Sequence, residues 1–327
     1  MQRFLSPFRR QHRPGRTAKD GIPSIDRPRF VTAAEADGFL LPTDVVFGVD
    51  YRGVVRAYPQ RILVWHEIVN DVFDGQHVAI TYCPLTGSPV GFLPPRNNPA
   101  ETFGTSGNLV NSNLLMYDRV TDSQWPQILG TAINGERCAA VLPEIPVVWT
   151  PWDRWRQRHP DTEVLSADTG YLRNYGQDPY GLYTPDPAGY YASDGLAFPV
   201  MRTSDRFHPK KVFYGLKVGD ARMAIPHEEF RAIGVRNFSL AGAPLAALYD
   251  PVLDIARVFR REVEGQVLTF ALEGGTIRDA DTGSSWSPEG QGLDGPLQGV
   301  RLEQVNAFNV MWFAWYAFYP ETQVLDG

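Results

Sequence analysis

Cys83 follows Tyr82 and precedes Pro84, a place where a strand gives way to a turn and a thiol can stay partly accessible. As a thiolate it could attack a carbonyl, react with peroxide or bind a soft or borderline metal, provided a nearby cation or metal lowers its pKa from about 8.5. His66 is the natural helper, and the run His66-Glu67-x-x-Asn70 invites comparison with His-Glu-x-x-His. In that zincin motif two imidazoles one helical turn apart share a zinc ion and the Glu is general base. Here Asn70 replaces the second histidine, and Asp71 lies at the wrong helical offset to stand in for it. Three arrangements then stay open. His66, Cys83 and Glu67 could form a three-ligand site for zinc or copper with one open position. A metal-free Cys83-His66 pair could work with Asn70 or Asn111 orienting the imidazole or donating to a developing oxyanion. His66 could also be structural, bonded to backbone and stacked near Trp65.

A second cluster runs from residue 108 to residue 119, where Asn108, Asn111, Ser112, Asn113, Tyr117, Asp118 and Arg119 crowd together. Neutral amides recognise polar groups without imposing charge, as a site for a small polar or carbonyl-bearing molecule needs. Asn70, Asn111, Asn113, Tyr117 and Arg119 are therefore the ligand-binding candidates beside the catalytic candidates Cys83, His66 and Glu67, with ordinary turn chemistry as the alternative. No phosphate loop, dinucleotide glycine fingerprint or Gly-x-Ser-x-Gly elbow occurs, which disfavours nucleotide cofactors and the usual serine hydrolases. Cys138 and the Trp149, Trp152, Trp155 stripe read as core.

The elements that must position these residues are repeated. Asp118-x-x-Thr121-x-Ser123-x-Trp125 recurs as Asp279-x-x-Thr282-x-Ser284-x-Trp286. Trp155 stands before Pro160 to Leu165 as Trp315 stands before Pro320 to Leu325, while Gly48 and Tyr82 map to Gly215 and Tyr249 with one spacing. Residues needed by both copies serve the scaffold, whereas one active site needs its residues once. Asp250 replaces Cys83, nothing near Ile233 matches Trp65 to Asp71, and nothing at 272–274 answers Asn111 to Asn113, so the first copy reads as the working half. Alternation over 45–49 and 54–58 predicts a β-hairpin, 77–82 a strand, and 152–159 and 311–318 short helices. The expectation is a mainly β (β-rich α+β) protein of two pseudo-duplicated units, each closed by a short helix. It divides into a flexible basic tail (1–20), a first repeat with the site (21–166), a linker or surface loop (167–204) and a second repeat (205–327).

The resemblance carried by Gly21 to Asp26, Ala57-Tyr58-Pro59, Trp65 to Asp71, Tyr82 to Gly87, Asn111 to Asn113 and Met116 to Arg119 is to the microbial family known as domain of unknown function 3179. It spans roughly Gly21 to Leu325 and brings no established activity. Many members resemble secreted or lipid-anchored proteins, from which this chain departs in lacking a signal segment. Many also carry Cys-Pro-Leu-Cys. With Thr86 in place of the second cysteine, the resemblance implies no dithiol or two-thiolate metal role here.

Composition bounds the function. A chain of 327 residues with 43% hydrophobic and 21% charged residues suits about two ordinary globular domains. No apolar run approaches the roughly 18 residues of a membrane span. A net charge of −6 gives the body no electrostatic reason to seek nucleic acid. The 30 Gly and 27 Pro favour short elements joined by turns. Two cysteines and no apolar stretch after the basic tail lead to the expectation of a cytoplasmic protein. An enzyme acting on a small organic molecule through a Cys/His-centred pocket is the leading reading. A non-catalytic small-ligand or metal-binding module, or a structural or interaction protein, are the alternatives.

Overall fold

The structure, a computed structural model, describes residues 2–11, 13–15, 17–183 and 187–325. Within these the chain is mainly β and clusters into two compact units, Met1–Lys211 with Asn309–Pro320 and Val212–Phe308 with Glu321–Gly327. Among the described residues no helix is long and apolar enough to cross a membrane, which leaves strands unaddressed.

In the first unit the predicted hairpin forms from Val45–Tyr51 and Val54–Pro59, reversing at Arg52 and Gly53, both at positive φ. Glu163–Leu165 lies parallel to Val54–Pro59, and Val148–Pro151 antiparallel to Val45–Tyr51. The helix Trp152–Arg158 starts after Pro151, whose ring fixes an extended entry. Its Trp155 lies so close to Gly48 that a Cβ there would meet the indole at 2.2 Å, so only glycine lets the ring and the strand touch. A meander of Ile68–Phe73, Gln76–Cys83 and Ser88–Phe92 follows, then the hairpin Phe103–Val110 and Asn113–Asp118 flanked by Gln124–Pro126. Phe47, Tyr58, Ile62, Leu63, Val69, Phe73 and Tyr82 share one buried core between these elements. At ~1.5–3 kcal/mol for each fully buried large apolar side chain, that core fixes where the candidate site residues are held.

The second unit runs through the same kinds of element. Val212–Val218 and Ala221–Pro226 form a hairpin, with Gln323–Val324 parallel to the latter. A meander of Val235–Leu240, Ala243–Asp250 and Ile255–Arg260 precedes Phe270–Glu273, Thr276–Asp279 and Ser285–Trp286. The repeated motif does the same work in each. Asp118 Oδ1 caps Thr121 N at 2.7 Å and Oδ2 accepts from Trp125 Nε1 at 2.9 Å. Asp279 does so for Thr282 N at 2.6 Å and Trp286 Nε1 at 2.8 Å. Both indoles are buried.

Two placements differ from the sequence expectation. Helix Trp312–Phe318, expected to close the second repeat, belongs to the first unit, where Phe313 N bonds Pro209 O and Asn111 Nδ2 bonds Ala317 O. Its six buried apolar residues need a core on more than one side, whereas Trp152–Arg158 buries only Trp152 and Trp155. The expected flexible tail is a helix over Gln2–Gln11 with Leu5 and Phe8 buried, because its apolar residues find cover, Phe8 stacking on Phe318 at 5.3 Å. Arg16 of that tail lies outside the described residues.

Candidate active site

Glu67 sits at the end of the short helix Gln60–Leu63 and the turn that continues it. Its N–H bonds Leu63 O at 2.7 Å and its carbonyl accepts from Tyr82 N at 2.8 Å. Its φ is +57°, in the left-handed region that glycine enters without penalty, and Ile68 N bonds His66 O across it at 2.6 Å. For a residue with a Cβ the same conformation costs roughly 1–2 kcal/mol. In the second unit the corresponding helix, His227–Ile233, ends on Gly234 at φ +72°, with its N–H on Phe230 O and its carbonyl receiving Tyr249 N at 2.8 Å. The two positions have the same backbone role, and only the first carries a side chain.

That side chain is 6% exposed. Among the described residues its carboxyl has no hydrogen-bond or ion-pair partner. Burial alone raises its pKa to about 8, so it holds a proton at neutral pH. Glu67 lines a cavity of about 620 Å³, within the usual size range of small-molecule sites. Part of the wall is the hairpin Phe103–Val110 and Asn113–Asp118, whose pairing is interrupted between Thr105 and Leu109. This bulge brings Thr105, Gly107 and Asn108 to the cavity.

A further part of the lining comes from the segment expected to be a linker or surface loop. Asp178, Tyr180, Tyr190 and Phe198 line the cavity. Tyr190 is fixed by its hydroxyl on Leu85 O at 2.8 Å. Asp178 is fixed by Gln60 Nε2 at 2.6 Å, Tyr191 OH at 3.0 Å and Tyr180 N at 2.8 Å. Tyr183 stacks on Tyr191 at 3.6 Å and packs edge-on to Trp149. Glycine and proline marked this stretch as irregular, which it is, but a solvated linker has no use for Tyr175, Tyr180, Tyr183, Tyr190 and Tyr191. Their density was the signal, since each ring offers large buried area with one polar end.

His66 is fully buried, and its ring nitrogens are both engaged. Nδ1 lies 2.7 Å from Pro23 O, which can only accept, so Nδ1 carries the proton and Nε2 accepts from Tyr175 OH at 2.7 Å. Burial first, and Arg173 after it, lower its pKa against the pull of the Pro23 carbonyl, so the ring is neutral at neutral pH. Neither nitrogen is on Cys83. The comparison with a helical His-Glu-x-x-His run also fails on geometry, because Asn70 lies on the strand Ile68–Phe73.

Cys83 is 1% exposed, which corrects the expectation of an accessible thiol. The turn after the strand is itself covered. Leu114 N donates to Sγ at 3.4 Å and Sγ contacts Ser112 O at 3.8 Å. Burial and then the neighbouring Glu67 raise the thiol to about 12, so no thiolate forms at neutral pH. Cys138, expected in the core, is only half-buried and is the more accessible of the two. Among the described residues no three of His, Cys, Asp and Glu are grouped to hold a metal ion.

The other candidates bind protein groups. Asn70 exchanges two hydrogen bonds with the backbone of Phe103, at 2.9 and 3.0 Å, and also holds Asp26. Asn237 makes the same pair with Phe270, at 2.7 and 3.0 Å, so the second repeat does answer Trp65 to Asp71 at this position. Asn111 and Ser112 form a two-residue hairpin turn at φ +52° and +61°, where the second unit has Gly274 and Gly275. Asn111 ties Met201 N and Ala317 O, and Ser112 ties Phe198 O at 2.7 Å beside the cavity. Asn113 joins a buried network with Gln127 and Thr86. Tyr117 bonds Asp20, and Arg119 reaches Ser24, Asp26 and Thr102, anchoring the segment 20–26.

A model of the family described as Protein of unknown function (DUF3179) matches residues 19–322. The chain belongs to this family. No curated protein and no solved structure matches it. In this DUF3179 chain Thr86 is buried, its N–H on Cys83 O at 3.2 Å and its hydroxyl 2.8 Å from Ser88 Oγ. A hydroxyl thus closes the turn after Cys83 in place of the second thiol expected of many DUF3179 members.

Proposed function

We propose that this chain is an enzyme performing acid–base chemistry on a small organic molecule in the cavity of the first unit, with Glu67 as the group that gives and takes the proton. The observation that carries the reading is the combination found at Glu67. An unpartnered carboxyl is held buried, in a backbone conformation suited to glycine, at the wall of a ligand-sized cavity. Strain and desolvation of this kind persist where a site requires them. A carboxyl with a pKa of about 8 donates a proton readily near neutrality and takes it back as a base, the match that acid–base catalysis needs. Tyr180 and Asn108, which can offer polar groups, also line the cavity. His66 is a structural residue that joins Pro23 to Tyr175, and Cys83 is a neutral neighbour of Glu67. This reading moves the centre of the pocket from the Cys83-His66 pair to Glu67.

We further infer that the two units arose by duplication and that the second has kept the scaffold without the site. The same order of strands, the parallel closing strands, the Asp-Thr-Trp turns and the Asn70 and Asn237 bridges support this.

A carbodiimide that enters apolar sites, dicyclohexylcarbodiimide, tests the proposal because it reacts with protonated carboxyls. Peptide mapping of native protein at pH 6.5 should find Glu67 modified ahead of exposed carboxyls, and the labelling should fall as pH passes 8. Labelling of Glu67 no greater than that of exposed acids would overturn the reading. Once a substrate is found, Glu67→Gln should lower turnover by roughly 100-fold or more.

A further inference from the structure

We infer that the ligand of this cavity is a small organic cation, an amine or quaternary ammonium, and not a carboxylate or phosphate. The inference rests on the reading of Glu67 as the working group and names the substrate class of that site. Two carboxyl side chains, Glu67 and Asp178, line the cavity together with the rings of Tyr180, Tyr190 and Phe198. Among the described residues that line it there is no Lys, Arg or His. Asp178 accepts hydrogen bonds from Gln60, Tyr191 and the Tyr180 backbone, all neutral donors. Among the described residues no cation pairs with either carboxyl. Aromatic faces attract cations through their quadrupoles, and an ammonium brought among these rings and two carboxyls that no described cation pairs with supplies the opposite charge. An anion would instead meet two acids and, among the described lining residues, no donor of positive charge.

A second observation comes from Lys210, which does not line the cavity. Its ammonium, on a residue 6% exposed, lies 3.6 Å from the centroid of the Tyr190 ring. It is held by the carbonyls of Tyr190 and Ser193 and by Ser193 Oγ at 2.8 Å. A ring and neutral oxygens of this segment therefore already hold one buried ammonium, the oxygens making its hydrogen bonds among the described residues, while the Asp194 carboxylate attracts it through space. Binding of a second cation beside Glu67 would favour the carboxylate and release the proton that Glu67 holds, leaving a base next to the bound amine.

Three probes of one shape separate the charges: trimethylphenylammonium, its carbon isostere tert-butylbenzene, and benzenesulfonate. Their affinities for the full chain are read by calorimetry or ligand-observed NMR at pH 7. The cation should bind about tenfold or more tighter than the isostere, with proton release, and benzenesulfonate should not compete. Glu67→Gln and Asp178→Asn should each reduce the ratio of cation to isostere affinity while leaving tert-butylbenzene binding in place, which also shows that the variants are folded. Equal binding of the isostere, tighter binding of the sulfonate, or no binding of the cation would overturn the inference. Carbodiimide labelling distinguishes the two failures. Glu67 labelled without preference for the cation removes only the charge assignment, whereas Glu67 unlabelled removes the acid–base reading beneath it.

Discussion

The turn after the short helix is built the same way in both units, yet one unit places Gly234 there and the other Glu67. The second unit shows what the fold needs at this point: a residue at positive φ that closes the turn after the helix and offers its carbonyl to the next strand. Glycine satisfies all of it. The first unit satisfies it too, while holding a carboxyl in a desolvated place with no partner among the described residues. The hairpin tip repeats the contrast, with Asn111 and Ser112 at positive φ against Gly274 and Gly275. At the hairpin tip the added side chains tie Ala317, Met201 and Phe198, whereas at Glu67 the added carboxyl ties nothing among the described residues, and the proposed function rests on that position. Where the units agree, at Asp118 and Asp279 or Asn70 and Asn237, the residues hold turns and strands together.

The comparison is most exposed at the shared indoles. Trp125→Ala and Trp286→Ala should each destabilise by about 3–5 kcal/mol in chemical denaturation, since each removes a buried ring. A unit that tolerates its substitution would not use the motif as scaffold. Next in size is Glu67→Gln. A carboxyl whose pKa rises from 4.5 unfolded to about 8 folded binds more protons in the folded state. Stability should therefore fall as pH rises from 4.5 to 8 and level off above. Glu67→Gln should remove that decline and stabilise by on the order of 3 kcal/mol at pH 7, with no effect below pH 4. Asn70→Ala and Asn237→Ala should cost about 1–3 kcal/mol each by leaving a backbone pair unbonded, with Asn70 the larger because it also holds Asp26. The smallest effect is the sharpest contrast in sign. At pH 4, where the buried carboxyl costs nothing, Glu67→Gly should stabilise by ~1 kcal/mol, whereas Gly234→Ala should destabilise by a similar amount, because its Cβ would meet Leu272 Cδ2 at 2.6 Å.

Much of the scaffold was legible. Hairpin, meander strand and helix all follow from alternation, turn residues and Pro151, because these are local rules. The recurring Asp-x-x-Thr-x-Ser-x-Trp run was legible because two buried indoles need identical caps. The site was legible only in part. Glu67 and His66 drew notice by type, but the spacing that carries Tyr82 to Tyr249 also carries Glu67 to Gly234 and Asn70 to Asn237. Read through, it would have separated the strained residue from the scaffold one. Cys83 misled because a thiol's chemistry depends on what covers it, and the cover comes from Ser112 and Leu114, distant in sequence. The tyrosine-rich segment misled for the same reason. Glycine and proline report local irregularity correctly and say nothing of what an irregular segment packs against.

The proposed chemistry depends on the protonation state of Glu67. Titration of the native protein with ¹³C-labelled glutamate side chains, assigned through Glu67→Gln, follows the carboxyl carbon directly. A midpoint near pH 8 is predicted, shifted downward when trimethylphenylammonium is bound. A midpoint between 4 and 5, where an ordinary solvated glutamate titrates, would contradict it.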